Sequence, residues 1–298
     1  MAVYDYLITM LTFWGIYAIL AIGLNVIWGY TGLINIGHVA FFAIGAYTSA
    51  LLTLAGYNFI IGLTVGIVLA GLAGLLVGIP TLRLRADYLA IVTLGFAEIL
   101  RLLLLNEIWL TRGPFGLPGL PQPLRGIFPG NYNTFYLGLV LLSLLITFYI
   151  AERILRSPFG RVLKAIREDE EVAMALGKDV FKFKLQSLAL GSAMAGAAGS
   201  LFAHFITFVV PEQYEAIQTF YIWIMVVLGG SGSNKGSVVG ALILISFFES
   251  TRFLKDFLHL PIGPEKIAAA RLIVVGIMLV LLMRYRPEGI FGERYAAS

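Results

Sequence analysis

Glu98 and Arg101 stand three residues apart inside the apolar run 88–108, so a helix places both on one face. An isolated charge at a bilayer centre costs at least about 2.5–3.5 kcal/mol on insertion scales, so such groups must pair or line a wet path. The spacing suits a structural salt bridge first, and a polar element of a gate or subunit interface second. His38 follows the glycine-rich opening Gly29-Tyr-Thr-Gly32-Leu-Ile-Asn35-Ile-Gly37. It can line a path with Asn35 and Phe42, or bond a backbone carbonyl that the glycines leave free; the second is favoured. The three histidines are scattered, with no His-Glu-x-x-His pattern, and there is no cysteine. Metal catalysis and thiolate chemistry are therefore not expected. A second glycine cluster, Gly229-Gly-Ser-Gly232-Ser-Asn-Lys-Gly236, contains a lysine but lacks the G-x-x-x-x-G-K-[ST] order of a phosphate-binding loop. ATP chemistry is not expected on this chain.

The densest charge lies between Arg153 and Lys184, in an otherwise membrane-like sequence. Ser157-Pro158 predicts a helix start, a capping hydroxyl followed by proline at the first helical position. Gly177 predicts its stop. Between them Phe159, Val162, Leu163, Ile166, Ala173 and Leu176 recur at helical spacing, predicting one helix with a single apolar stripe. Gly160 lies in its first turn, and Arg161, Lys164, Arg167, Glu168, Glu170 and Glu171 lie opposite the stripe. Such a helix can rest on lipid headgroups or dock into a protein groove. An anionic leaflet would repel the acidic run Glu168–Glu171, so docking is the better fit.

Composition sets the elements that must position these groups. Of 298 residues, 59% are hydrophobic before 33 glycines are counted, and 13% are charged. Soluble domains run at roughly 45–50% apolar with glycine included and roughly 25% charged. With a mean hydropathy of +0.89, the chain is expected to be an all-α, polytopic membrane protein. The alternation of a β-barrel is missing. The net charge of +4 comes from basic residues at span ends, which is a topology signal and not one for nucleic acid. Residues 1–6 carry Asp5 and no basic residue, so the first apolar run reads as a retained span.

Apolar runs at 6–28, 33–55, 58–79, 88–108, 134–152, 185–209, 216–229, 236–252 and 267–284 predict about eight to ten spans. Arg83 and Arg85, the segment Arg153–Lys184, and Arg284, Arg286 and Arg294 fall on one side if all nine cross, the cytoplasmic side. The N-terminus then lies outside. The two glycine clusters have similar spacing and sit in corresponding halves, which points to broken or re-entrant segments and a substrate path. Close helix packing is the plainer alternative.

Glu171-Val-Ala173-Met-Ala-Leu-Gly177 matches the E-x-A-x-x-x-G core by which ABC importer permeases engage their ATPases, although no Ile-x-Leu-Pro follows. Together with GLNVIWGYTGLINIGHVAFFAIGAYTSA, DYLAIVTLGFAEILRLLL, LTRGPFGL and VVLGGSGSNKGSVVGA, the chain resembles the permeases of branched-chain amino acid ABC transporters, the LivM type, from about Gly23 to Gly289. The resemblance implies one permease domain over 1–298 in a bacterial plasma (inner) membrane, with 157–177 as a cytoplasmic coupling helix. It implies a homologous LivH-type permease, two ATPases of the LivG and LivF types using ATP and Mg, and a periplasmic or extracellular substrate-binding protein. No cofactor is implied on this chain. The ATPase-coupling residues would be Gly160, Arg161, Lys164, Arg167, Glu168, Glu171, Ala173 and Gly177. Asn35, His38, Phe42, Glu98, Arg101, Gly229 and Gly232 would form the path or gate. The implied cargo is a branched-chain or other hydrophobic amino acid. Related permeases for urea, short amides or sugars, and an ion-coupled secondary transporter, are the alternatives.

Overall fold

The computed structural model describes residues 2–82, 86–126, 130–258, 264–285 and 289–292. Arg83, Arg85, Arg286 and Arg294 lie outside the described residues. All nine apolar runs fold as helices. They are α1 (Ala2–Leu24), α2 (His38–Leu54), α3 (Phe59–Thr81), α4 (Ala86–Asn106), α6 (Tyr132–Arg156), α9 (Val180–Ile206), α10 (Ala216–Gly229), α11 (Asn234–Leu258) and α12 (Pro264–Tyr285). The shorter helices α5 (Ile108–Thr111), α7 (Pro158–Glu168) and α8 (Glu170–Ala175) lie in the connections. Two two-residue strands, Leu117–Pro118 and Phe208–Val209, pair antiparallel and tie the 107–131 connection to the end of α9.

Among the described residues five helices are long and apolar enough to cross a membrane: 4–30, Phe59–Thr81, Tyr88–Asn106, Tyr132–Arg156 and Val180–Ile206. Counting α10 and α11 as one broken span, bent by 119°, makes six. The expectation of eight to ten counted these two separately and added α2, which is 17 residues long and largely buried, and α12.

Side-chain capping and small residues explain the packing. The Asn58 side chain accepts from the Ile60 N–H at 3.0 Å and opens α3. Asp179 opens α9 in the same way, accepting from the Lys182 N–H at 3.2 Å. The hydrogen bond from the Lys182 side chain holds the Asp179 carboxyl below the usual carboxylate range. In the centre, α2 crosses α9 where Gly45 meets Gly196; a Cβ on Gly45 would strike the Gly196 backbone. The Ser200 hydroxyl donates to the Gly45 carbonyl at 3.0 Å across the same contact. Backbones approach this closely only where side chains are absent.

The chain also departs from straight helices. At Asn25–Tyr30 α1 passes into a π turn, and residues 31–37 then return alongside its lower half. His38, the first residue of α2, lies against Leu20 of α1. Such π segments concentrate at functional sites. At one end of the molecule Tyr4 of α1 meets Thr134 at the start of α6, with hydroxyls 3.3 Å apart. At the other end Gly29 meets Arg167 of α7. The start of α1 therefore lies at the end of the molecule opposite α7.

Candidate functional site

The charged segment departs from the single helix expected over 157–177. Ser157 does cap α7, its hydroxyl accepting from the Phe159 N–H at 3.2 Å, with Pro158 at the first position. The helix ends at Asp169, whose extended backbone (φ −154°, ψ 109°) turns the chain. The Asp169 carboxylate then accepts from the N–H groups of Glu171 and Val172, at 2.9 and 3.0 Å, and opens α8. An aspartate that caps a new helix cannot also continue the old one. The result is an elbow. Gly177 closes α8 at φ +75°, with Gly177 N–H to Met174 and Lys178 N–H to Ala173, the paired bonds of a glycine stop.

The elbow splits the expected stripe. Leu163, Ile166 and Ala173 are buried, and Ile166 and Ala173 form a small cluster with Val180. Phe159 stacks on Phe183 of α9, ring centroids 5.5 Å apart. Leu176, expected on the buried side, is 72% exposed, beside exposed Val172 and Met174. Glu168 and Glu171 are also exposed. An apolar patch with a charged rim has the composition of an interaction surface. Gly160 is buried where a Cβ would run into the Leu155 carbonyl, so α7 lies directly on the end of α6. Arg161 is exposed, and the Lys164 ammonium lies 5.5 Å from the Tyr30 ring centre.

Arg167 reaches from α7 into the membrane-side helices. Its guanidinium donates to the Gly29 carbonyl and, at 3.2 Å, to the Ser231 hydroxyl. Its aliphatic stem packs on Gly32. The two glycine clusters, some 200 residues apart in sequence, therefore meet at one side chain. They also touch each other: a Cβ on Gly29 would lie 2.7 Å from the Gly232 nitrogen. Gly232 adopts φ +82°, a left-handed conformation that only glycine takes without strain, and its N–H donates to the Asn25 side chain at 2.9 Å. Asn25 continues to Asn234 at 3.0 Å, Asn234 to Glu152 at 3.0 Å, and Glu152 pairs with Arg156 at 2.6 Å. One polar chain thus joins the π turn, the α10–α11 break and the end of α6. Gly229 supports it by packing against the Gly236 backbone.

Sequence reasoning did not find Asn25, Asn234, Glu152 or Ser231. The signal for Asn25 was present, a polar side chain in the middle of LAIGLNVIWG. Such a residue must find a partner, and its partner is distant in sequence.

Asn35, His38 and Phe42 fall in a second, fully buried place. The Asn35 side chain accepts from the Gly37 N–H at 3.0 Å, and the Asn35 backbone carbonyl accepts from the Trp223 indole N–H of α10 at 2.9 Å. The turn into α2 is fixed by Thr93 of α4, which accepts from Ile36, and by Thr219 of α10, which accepts from Val39. His38 bonds a backbone carbonyl as favoured, but that of Leu20 in α1 (3.2 Å) and not one released by the glycines. Asn35 Nδ2 and His38 Nδ1 are buried with no hydrogen-bond partner among the described residues. Phe42 packs among Tyr17, Phe202 and Tyr214.

Glu98 and Arg101 join neither group. They pair with each other in a two-pronged contact, 2.5 and 3.0 Å, on a half-exposed face of α4. Gly95, one turn below, has nothing among the described residues within 4 Å of where a Cβ would lie.

The family described as branched-chain amino acid transport system, permease component, matches residues 6–283. The high-affinity branched-chain amino acid transport system permease protein LivM of Escherichia coli (strain K12) is 37% identical over 299 residues, 92% of this chain and 67% of that protein. A probable branched-chain amino acid transport permease protein LivM of Methanocaldococcus jannaschii is 29% identical, over 97% of this chain and 94% of that protein. The LivH permease protein of the same Escherichia coli strain is 26% identical over 93% of this chain and 91% of its own length. No solved structure matches. The multi-pass helical architecture, the broken helix pair and the match over residues 6–283 agree: the chain belongs to the family of branched-chain amino acid transport permease components.

Proposed function

We propose that this chain carries branched-chain or other hydrophobic amino acids through the membrane, driven by ATPase subunits that grip the α7–α8 elbow. The observation that carries the reading is the reach of Arg167 from the elbow to Gly29 and Ser231. A push on α8 that moves α7 must break or shift contacts to both glycine breaks at once. Packed interfaces respond to such shifts by switching between discrete arrangements. Gly160 and Ala173 seat the elbow; Lys164 steadies it against Tyr30. Val172, Met174 and Leu176, rimmed by Arg161, Glu168 and Glu171, form the face offered to the ATPases, and Gly177 ends it.

The gate in this reading is the turn at Asn35–His38 with Phe42, closed in the present arrangement. A buried polar atom left unpaired costs about 1–3 kcal/mol. Asn35 Nδ2 and His38 Nδ1 are the polar atoms that this turn would offer to the cargo's polar end. Gly229 and Gly232 allow the second break to move with the first. Glu98 and Arg101 are assigned to the interface with a homologous permease, because a paired charge on a half-exposed face is better covered by protein than by lipid. The likeness of the chain to both a LivM and a LivH permease protein of one Escherichia coli strain supports a pair of related permeases. Two ATPases and a substrate-binding protein complete the assembly in this reading. Uptake of labelled leucine by the reconstituted assembly tests it. Uptake requiring ATP and the binding protein is the expected result, and uptake driven by an ion gradient alone would overturn it.

A further inference from the structure

Beside the Arg167 contact, on the α7 side of the molecule, lies a cavity of about 300 Å³. That is the low end of the roughly 300–1,000 Å³ of small-ligand sites. Its apolar wall is Leu33 from the returning segment, Leu82 after α3, Leu89 on α4 and Ile166 on α7. Its charged wall is Lys184 of α9, Glu170 of α8 and Arg167 of α7, with Lys184 Nζ and Glu170 Oε2 2.5 Å apart. The Lys184 side chain is only 12% exposed, and Glu170 is 46% exposed.

The pairing defines the ligand class. A simple anion entering here would meet the Glu170 carboxylate, and a simple cation would meet Lys184 and Arg167. A zwitterion that parts the Lys184–Glu170 pair satisfies both, its carboxylate on Lys184 and its ammonium on Glu170, and the leucine wall then receives an aliphatic side chain. We propose that this cavity is a regulatory site for an aliphatic α-amino acid arriving from the cytoplasm. The inference rests on the amino acid cargo proposed above.

A ligand seated there touches α7 and α8 on one side and α3, α4, α9 and the returning segment on the other. It binds one arrangement of the elbow better than any arrangement in which α7 has moved. Such differential binding shifts the equilibrium toward the bound form and slows the transport cycle. The accumulated product would then restrain its own import.

The test uses the complete reconstituted transporter in vesicles, with labelled leucine and binding protein outside and ATP inside. Preloading with unlabelled leucine is expected to slow initial uptake about fivefold or more. Preloading with glycine, which lacks the side chain, or leucinamide, which lacks the carboxylate, is expected to leave it unchanged. Lys184→Gln, Glu170→Gln and the cavity-filling Leu82→Phe should each abolish the slowing, read as each variant's own ratio of loaded to empty vesicles. Equal rates in leucine-loaded and empty wild-type vesicles, or slowing retained in all three variants, overturns the site. No uptake in empty vesicles overturns the cargo reading instead. In that case leucine titrated into the permease–ATPase complex without binding protein decides the site: saturable binding lost in Lys184→Gln supports it, and no binding overturns it.

Discussion

The Arg167 guanidinium donates to the Gly29 carbonyl across 138 residues of sequence, joining the α7–α8 elbow to the π turn of α1. Gly29 lies against Gly232, and Arg167 also reaches Ser231. The two glycine breaks and the elbow therefore form one mechanical unit, whose weakest points can be tested separately.

The polar chain through Asn25 is the first. Asn25→Ala removes the acceptor of the Gly232 N–H and the donor to Asn234, both buried. A loss of roughly 1–3 kcal/mol for each buried group left unpaired is expected. A lowered unfolding temperature of the purified permease in detergent would show it, and Asn25→Leu should be at least as damaging as Asn25→Ala. A variant as stable as the parent would mean that the network does not hold the breaks together.

The elbow itself is the second. Asp169→Ala removes the cap of α8 and is expected to cost about 1 kcal/mol locally. The permease should fold normally while binding the ATPases less tightly, measured as the fraction retained on co-purification. Asp169→Asn, which keeps a capping oxygen, should be close to the parent. Equal losses in both variants would point to the charge and not to the turn.

Docking chemistry is the third. Reversing Glu168 and Glu171 to Lys, or replacing Gly177 by Trp at its φ of +75°, should release the ATPases while the membrane domain remains folded. Unchanged co-purification and unchanged uptake would remove the exposed face of α8 from the ATPase contact.

Glu98→Gln addresses the remaining ion pair. Its partner Arg101 is only 20% exposed at the side chain and would be left beside apolar α4 residues. Impaired association with the homologous permease is expected, without a change in the pH dependence of uptake. Abolished proton-coupled uptake with intact assembly would favour ion-driven transport.

The apolar runs made every long helix legible, because each must satisfy its backbone within the segment. Ser157-Pro158 and Gly177 were equally legible, since capping acts within a few residues. Asp169 was not. It lies within an apolar period that continues on both sides, and only its side-chain bonds show that the helix breaks there. The Gly29–Gly232 contact was suggested by matching spacing, but the side chain joining the two clusters could not be read. Arg167 was placed on the charged face expected to meet the ATPases, and the partners it reaches inward are a backbone carbonyl and a serine hydroxyl that carry no pattern of their own. His38 was read correctly in kind, a histidine on a carbonyl, while the particular carbonyl depended on where the chain turns back.

The most direct measurement is uptake and ATP hydrolysis by the assembled transporter carrying Arg167→Gln, with Arg167→Lys beside it. The ATPases should remain bound, since the exposed face of α8 is untouched. Charge-assisted hydrogen bonds are worth roughly 1.5–3 kcal/mol each, so uptake should fall at least about tenfold. Lysine should restore little, because an ammonium cannot reproduce the planar fork that serves two acceptors. Uptake at the parent rate in Arg167→Gln, with hydrolysis still coupled to transport, would contradict the account.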